Sequence, residues 1–328
     1  MTNFAQRSGI HPPQQTPKDS LNGEDAGLHA QFIAGTKNGL VTLSPEPQVE
    51  LLGYDITALA SGSNTVWAIT DRNAIWQRDL EHQWHQVTTV SEGELHCLFP
   101  FAESLLVGTS SACLLRVQEG DLKRINCFES IEEREEWYTP WGDPPDVRSL
   151  AISPSGILYV NVHVGGILRS DDGGATWQPT IDFHADVHEV CTVPGRPDWV
   201  LAATAQGLAI SKEKGETWCF DSENLHGAYA RAVAVCGEIV LMSASTGPHT
   251  DRAALYHRPL DQPGGFKKCQ QGLPEWFPSN INTGTLATAG SCAVFGTREG
   301  KIFRSTDAGQ SWKSIATGLA PIQCLVMA

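Results

Sequence analysis

The sequence SDDGGATW at residues 170–177 recurs as SKEKGETW at 211–218 and as STDAGQSW at 305–312. The second copy starts 41 residues after the first, and the third starts 94 residues after the second, about two further units on. A repeat of about forty residues is the length of one propeller blade, so the chain is constrained to a stack of similar β-units. Within each copy the chemistry is local. An acidic side chain and a glycine close a tight turn between two strands, and the tryptophan anchors that turn on the sheet. Glu213 stands in the middle copy where the other two have Asp172 and Asp307. The pattern reports on fold and says little about chemistry.

A second repeat aligns without reference to these turns. Seven segments read as the innermost strands of blades: ITALA from Ile56, LHCLF from Leu95, VRSLA from Val147, VHEVC from Val187, ARAVA from Ala230, INTGT from Ile281 and IQCLV from Ile322. Each blade also has a second strand with a small-residue ending, such as FIAGT to Thr36, LLVGT to Thr109 and AVFGT to Thr297. The first of these second strands has no innermost strand before it, and the last innermost strand has nothing after it. Pairing the two closes a ring and removes both open sheet edges. The expectation is therefore an all-β, seven-bladed propeller over residues 28–328, closed by the C-terminal strand pairing with the N-terminal blade. Residues 1–27, polar and without an apolar core segment, read as a disordered arm.

The motif S-x-D-x-G-x-T-W resembles the Asp-box, or BNR repeat, of sialidases, sortilin-type receptors, xyloglucanases and a photosystem-assembly factor family, and the strand pattern is similar to YVTN and WD40-like propeller repeats. The resemblance implies a propeller, and it spans functions from glycoside hydrolysis to non-catalytic assembly.

Long connections precede the inner strands at 128–145, 178–186, 221–228 and 271–280, and another lies at 247–254. They emerge on one face, and the Asp-box-like turns on the other. Loops on a rigid scaffold are where function concentrates.

Read as columns, the inner strands place a polar residue at every second position: Thr57, His96, Arg148, His188, Arg231, Asn282 and Gln323. The third column is small apart from Glu189. Two guanidinium groups and two imidazoles at a channel mouth suggest a pocket for an anionic small ligand, because arginine forks match carboxylate and phosphate geometry. The acids just before these strands, Asp55, Glu94, Asp146 and Asp186, could instead absorb both arginines in ion pairs. In the loops Trp137, Tyr138, Trp141, His184, His226, His163, His249, Trp276 and Phe277 could roof the pocket, or could pack their loops down.

Three readings of function stay open: a binding protein or enzyme for a carboxylate- or phosphate-bearing small molecule, a protein-interaction scaffold, and a glycoside hydrolase. For an enzyme, Glu189 and His188 are the acid/base candidates, with Arg148, Arg231, His96, Asn282, Gln323, Trp141 and Trp276 binding the ligand. A sialidase would need three arginines on its substrate carboxylate and an R-I-P motif, but the column has two and the motif is missing. A two-carboxylate glycosidase could draw on Asp146, Asp186 and Glu189. A divalent metal could be held by His96, His188, His163 or His184, with Glu189 beside it. No nucleophile elbow or phosphate-binding glycine loop is present.

A net charge of -14 disfavours nucleic acid and anionic membrane surfaces as partners. The run EEREE at 132–136 reads as a solvated loop. There is no secretory pattern and no apolar run of membrane-spanning length, and nine cysteines without CxxC pairing read as buried hydrophobes. Together these features predict a cytoplasmic protein.

Overall fold

A computed structural model describes residues 31–43, 47–62, 65–139, 142–262 and 264–328. Among the described residues the strands form seven four-stranded antiparallel sheets. The expected arm and Trp141 lie outside the described residues. The C-terminal strand Ile322–Met327 pairs with Phe32–Thr36, bringing Ile33 opposite Val326 and Ala34 opposite Leu325. The ring is thus closed by strand pairing between the two ends of the described chain, as the alignment predicts.

Burial is greatest in the second strand of a blade, partial in the innermost strand and least at the rim, which explains the sequence pattern of each strand. Second strands such as Phe32–Thr36, Leu158–Val162 and Cys292–Gly296 are buried on both faces between adjacent blades, so they read as continuous apolar runs. Outermost strands such as Pro47–Glu50 and Gln178–Pro179 are largely exposed and read as polar. The small residue near the end of the second strand is dictated by blade contact. A Cβ on Gly108 would lie 2.5 Å from Cys97 Sγ and 2.5 Å from Val147 Cγ1 of the next blade.

The recurrent turns show how the acidic residue works. Asp172 Oδ1 accepts from the backbone N–H groups of Ala175 and Thr176, both at 2.9 Å, and Ser170 Oγ accepts from Gly174 N at 2.8 Å. The Thr176 hydroxyl, which donates to Asp172 Oδ2 at 2.6 Å, together with the backbone bonds and the Ser170 hydroxyl, holds the Asp172 carboxyl down at about 2. Asp307 repeats the arrangement through Ser311 N at 2.9 Å. Glu213, one methylene longer, reaches only Thr217 Oγ1, at 3.0 Å, among the described residues. The associated tryptophans pack as anchors: Trp312 and Trp177 are buried, and each meets a phenylalanine edge-on, Phe295 at 5.0 Å and Phe128 at 5.3 Å.

One expected strand is corrected. The inner strand of the last blade is Leu286–Ala289, and the INTGT segment before it is a turn. Gly284 adopts φ +73°, and Thr285 N donates to Asn282 O at 3.1 Å. This turn folds into the ring, where Thr283 Oγ1 donates to Arg231 O at 2.9 Å and to His188 O at 3.1 Å.

The polar column has a structural cause that its periodicity conceals. Strand register shifts between Ile56 and Ala58, Leu95 and Cys97, Val147 and Ser149, and Val187 and Glu189. Thr57, His96, Arg148 and His188 are therefore the unpaired residues of β-bulges. Gln323 occupies the same place between Ile322 and Cys324, and the shift around Arg231 spans Ala230 to Val233. A bulge re-aims a side chain away from the ladder, which is how an apolar strand can present a polar group at its end.

Candidate functional site

A cavity of about 570 Å³ opens at the mouth of the ring. Four of the predicted residues line it: His96, Arg148, Arg231 and Asn282, with Thr57 and Thr283 between blades and Thr139, Asp143 and Pro144 from the long loop. Glu94, one of the acids noted ahead of the inner strands, also lines the wall, as do Arg72 and Ser110, which were not singled out from the sequence.

Asp146 organises one side. It accepts from His96 Nδ1 at 2.9 Å and from Arg148 Nε at 3.0 Å, and its other oxygen lies 3.5 Å from His163 Nδ1. Burial pushes its carboxyl upward, but the bonds to His163 and His96 and the charge of Arg148 outweigh that, holding it well below the usual carboxylate range. Arg148 uses only Nε on protein among the described residues, so its two terminal nitrogens remain available.

Arg231 is arranged differently. It donates to Asn282 Oδ1 and to Tyr229 OH, both at 3.1 Å, and lies over the Tyr229 ring at 5.5 Å. No carboxylate pairs with it among the described residues. The expectation that adjacent acids could neutralise both arginines therefore holds for Arg148 alone. Tyr229 was missed because only the polar column was read, although it lies two residues before Arg231 on the same strand and so shares its face.

Beneath the mouth a narrower channel cavity of about 150 Å³ is lined by Glu189 and Gln323. Glu189 Oε2 accepts from Val233 N at 2.8 Å and Oε1 from Gly284 N at 2.9 Å, linking three successive blades. Burial pushes its carboxyl up to about 7, and these two backbone hydrogen bonds oppose the rise. Gln323 bonds Asp55 and the carbonyl of Ile56. Neither residue lines the mouth.

His188 is also absent from both cavities. It is fully buried, with Nδ1 2.6 Å from Ala230 O, and burial holds its imidazole in the neutral form. It meets Asp186 and His163 in a separate cluster: His163 Nε2 is 3.0 Å and His188 Nε2 is 3.6 Å from Asp186 Oδ1. Burial pushes the Asp186 carboxyl up, but the bond to His163 and the charge sites around it draw it below its ordinary value. Of the four histidines expected as metal ligands, this cluster holds His163 and His188. His96 is taken by Asp146, and His184 is exposed against Phe183 at 4.1 Å.

Of the loop aromatics, Trp137 and Trp276 pack against their surroundings, whereas Tyr138 is exposed. Trp137 is buried 6.5 Å from Phe128 with Arg134 over its ring. Trp276 is covered by Lys268 Nζ at 3.2 Å, Arg252 at 5.5 Å and the His226 ring at 4.5 Å, and it lies outside the mouth lining. The EEREE run is a short 3-10 helix, Glu132–Glu136, with all four glutamates exposed. None of the nine cysteines is in a disulfide, and no helix among the described residues is long and apolar enough to cross a membrane.

No protein-family model matches the sequence, and no curated protein matches it. Solved structures match its shape. A GH74 enzyme from Niastella koreensis superposes with a TM-score of 0.58 at 13% identity, over 86% of this chain and 46% of that one, so this chain spans about half of that protein. YCF48 from Cyanidioschyzon merolae superposes with a TM-score of 0.57 at 13% identity, over 85% of this chain and 89% of that one. The nidogen/laminin complex gives 0.51 at 10% identity, over 91% of this chain and 98% of that one. At these identities the likeness shows the propeller fold and nothing finer.

Proposed function

We propose that the chain is an Asp-box propeller whose mouth cavity binds a small anionic ligand, a carboxylate or phosphate ester, through Arg231 and Arg148 with His96 and Asn282 beside them. The observation that carries this reading is Arg231: a guanidinium lining a cavity of about 570 Å³, without a carboxylate partner among the described residues, in a chain of net charge -14. Such a chain has acids to spare, and a structural arginine would ordinarily be neutralised by one. The free terminal nitrogens of Arg148 supply a second fork. Binding is favoured over hydrolysis because Asp146 is held ionised, and Glu189, the one carboxyl pushed upward among the described residues, is committed to backbone amides below the mouth.

Titration calorimetry with inorganic phosphate, citrate and a sugar phosphate tests the reading. Wild type should bind at least one of them, and Arg231→Ala should weaken that binding about tenfold to a hundredfold with an unchanged melting curve. Arg231→Lys should rescue it only in part, since an ammonium lacks the planar fork. No binding at millimolar concentration, or equal binding by Arg231→Ala, overturns the ligand reading in favour of a protein-interaction scaffold.

A further inference from the structure

We propose that His163 Nε2, His188 Nε2 and an Asp186 carboxylate oxygen form a three-donor site for a divalent first-row transition ion, with zinc as the reference case. None of the three donors lines the mouth cavity, with Asp146 lying between the two, and the site does not depend on anion binding there. The three donor atoms lie within 4.8 Å of one another. Tetrahedral ligands at zinc bond lengths of about 2.0–2.1 Å are separated by edges of about 3.3–3.4 Å. The two edges to Asp186 Oδ1, 3.0 and 3.6 Å, bracket that length.

The decisive observation is His188. Its side chain is 0% exposed, and its Nε2 has no hydrogen-bond partner among the described residues. With Nδ1 2.6 Å from the Ala230 carbonyl, the ring proton belongs on Nδ1, because a carbonyl can only accept. Nε2 therefore presents a lone pair toward a carboxylate oxygen 3.6 Å away. Two acceptors facing each other in a buried site, with neither proton nor cation between them, is a costly arrangement. An alternative in which His163 Nε2–H donates to Asp186 satisfies that pair but leaves His188 Nε2 with nothing. A cation satisfies all three donors together.

The surroundings have the features of a metal centre's outer shell. The Ala230 carbonyl fixes the tautomer of His188, and Asp146 Oδ1 lies 3.5 Å from the second nitrogen of His163. Ligating histidines characteristically hand their other nitrogen to a carbonyl or a carboxylate in this way. Imidazole with carboxylate suits zinc and its neighbours better than magnesium or calcium, which prefer all-oxygen sets. Three protein donors leave a fourth position. Asp186, whose side chain is 30% exposed, provides the approach.

The test is cobalt(II) titration of chelator-stripped protein, followed by visible absorption. Wild type should take up one equivalent with the strong d–d bands of four-coordinate cobalt, and zinc should displace it and raise the melting temperature. Asp186→Asn and His163→Gln should each weaken uptake at least tenfold, while His184→Ala, at an exposed neighbouring histidine, should bind as wild type does. Should either variant fail to fold, zinc-edge anomalous scattering from wild-type crystals replaces it, and the peak should lie among these three side chains. Absence of stoichiometric uptake by wild type, a peak elsewhere, or unaltered binding by folded Asp186→Asn overturns the proposal.

Discussion

Glu189 offers a test of the ring itself, because its charge and its structural role pull in opposite directions. Its carboxyl is pushed from an ordinary 4.5 up to about 7 by burial, against hydrogen bonds from Val233 N and Gly284 N. Between those two pH values the folded chain holds a proton that the unfolded chain has released. Stability must therefore fall as pH rises: the contribution is whole below about 4.5 and is lost once pH passes about 7. At about 1.36 kcal/mol per pH unit, the 2.5-unit gap corresponds to about 3 kcal/mol. Glu189→Gln has the size of the acid and cannot ionise, although its NH2 cannot accept and so gives up one of the two backbone hydrogen bonds, a cost that does not vary with pH. The difference between the two proteins in urea unfolding, followed by tryptophan fluorescence in chelator-containing buffer, isolates Glu189 from His96 and Arg148, which line the same channel. From the offset that the lost backbone bond sets at pH 4.5, the difference should move in the variant's favour by up to about 3 kcal/mol by pH 7.5. If wild type instead gains on the variant as pH rises, the two amide donors stabilise the carboxylate more than burial penalises it, and the reasoning fails.

Two further expectations concern the recurrent turns. Trp312 Nε1 donates to Gly309 O at 3.0 Å, whereas Trp177 Nε1 is buried with no hydrogen-bond partner among the described residues. Trp312→Phe should therefore cost about 1–2 kcal/mol more than Trp177→Phe in urea unfolding, and equal costs would remove the hydrogen bond from the account. Glu213→Asp should let the middle turn make the backbone contacts that Asp172 makes, gaining about 1 kcal/mol and about 2 °C in calorimetric melting temperature. A loss of stability would show that the longer side chain is required there.

How much could be read from residues alone divides along a physical line. The three turns and the continuous apolar second strands obey local rules, so blade count and closure were legible. The polar column was legible as a periodicity, but its cause, a bulge at every column residue except Asn282, was not, because a bulge is defined only against the partner strand. INTGT matched its column and still became a turn. Gly284 permits the left-handed conformation there, and the bonds from Thr283 to Arg231 and His188 reward it. Trp276 had the composition of a ligand platform, yet its cations arrive from Lys268 and Arg252, whose approach to the ring no spacing rule reveals.

The acids preceding the inner strands carry the same lesson further. In sequence, Asp55, Glu94, Asp146 and Asp186 each stand immediately before the strand they introduce. In the ring, Asp55 bonds Gln323 and Asp146 bonds His96, each a column residue of the preceding blade. Asp186 likewise reaches back to His163, in the turn after the second strand of the preceding blade. The acid is thus contributed across the blade boundary, and its partner depends on which blade comes before it. That slot is acidic in four consecutive blades and then stops: Tyr229, Asn280 and Pro321 occupy it in the remaining three. From the following blade His188 consequently meets the Tyr229 ring at 4.7 Å, its neighbouring carboxylate being Asp186 at the start of its own strand, and Arg231 meets Asn282. The cavity wall is neutralised on the side of Asp146 and left cationic on the side of Arg231. A desolvated anion would settle where the positive charge is uncompensated, so Arg231 is the guanidinium whose removal should cost the ligand most, with Arg148, already shared with Asp146, second.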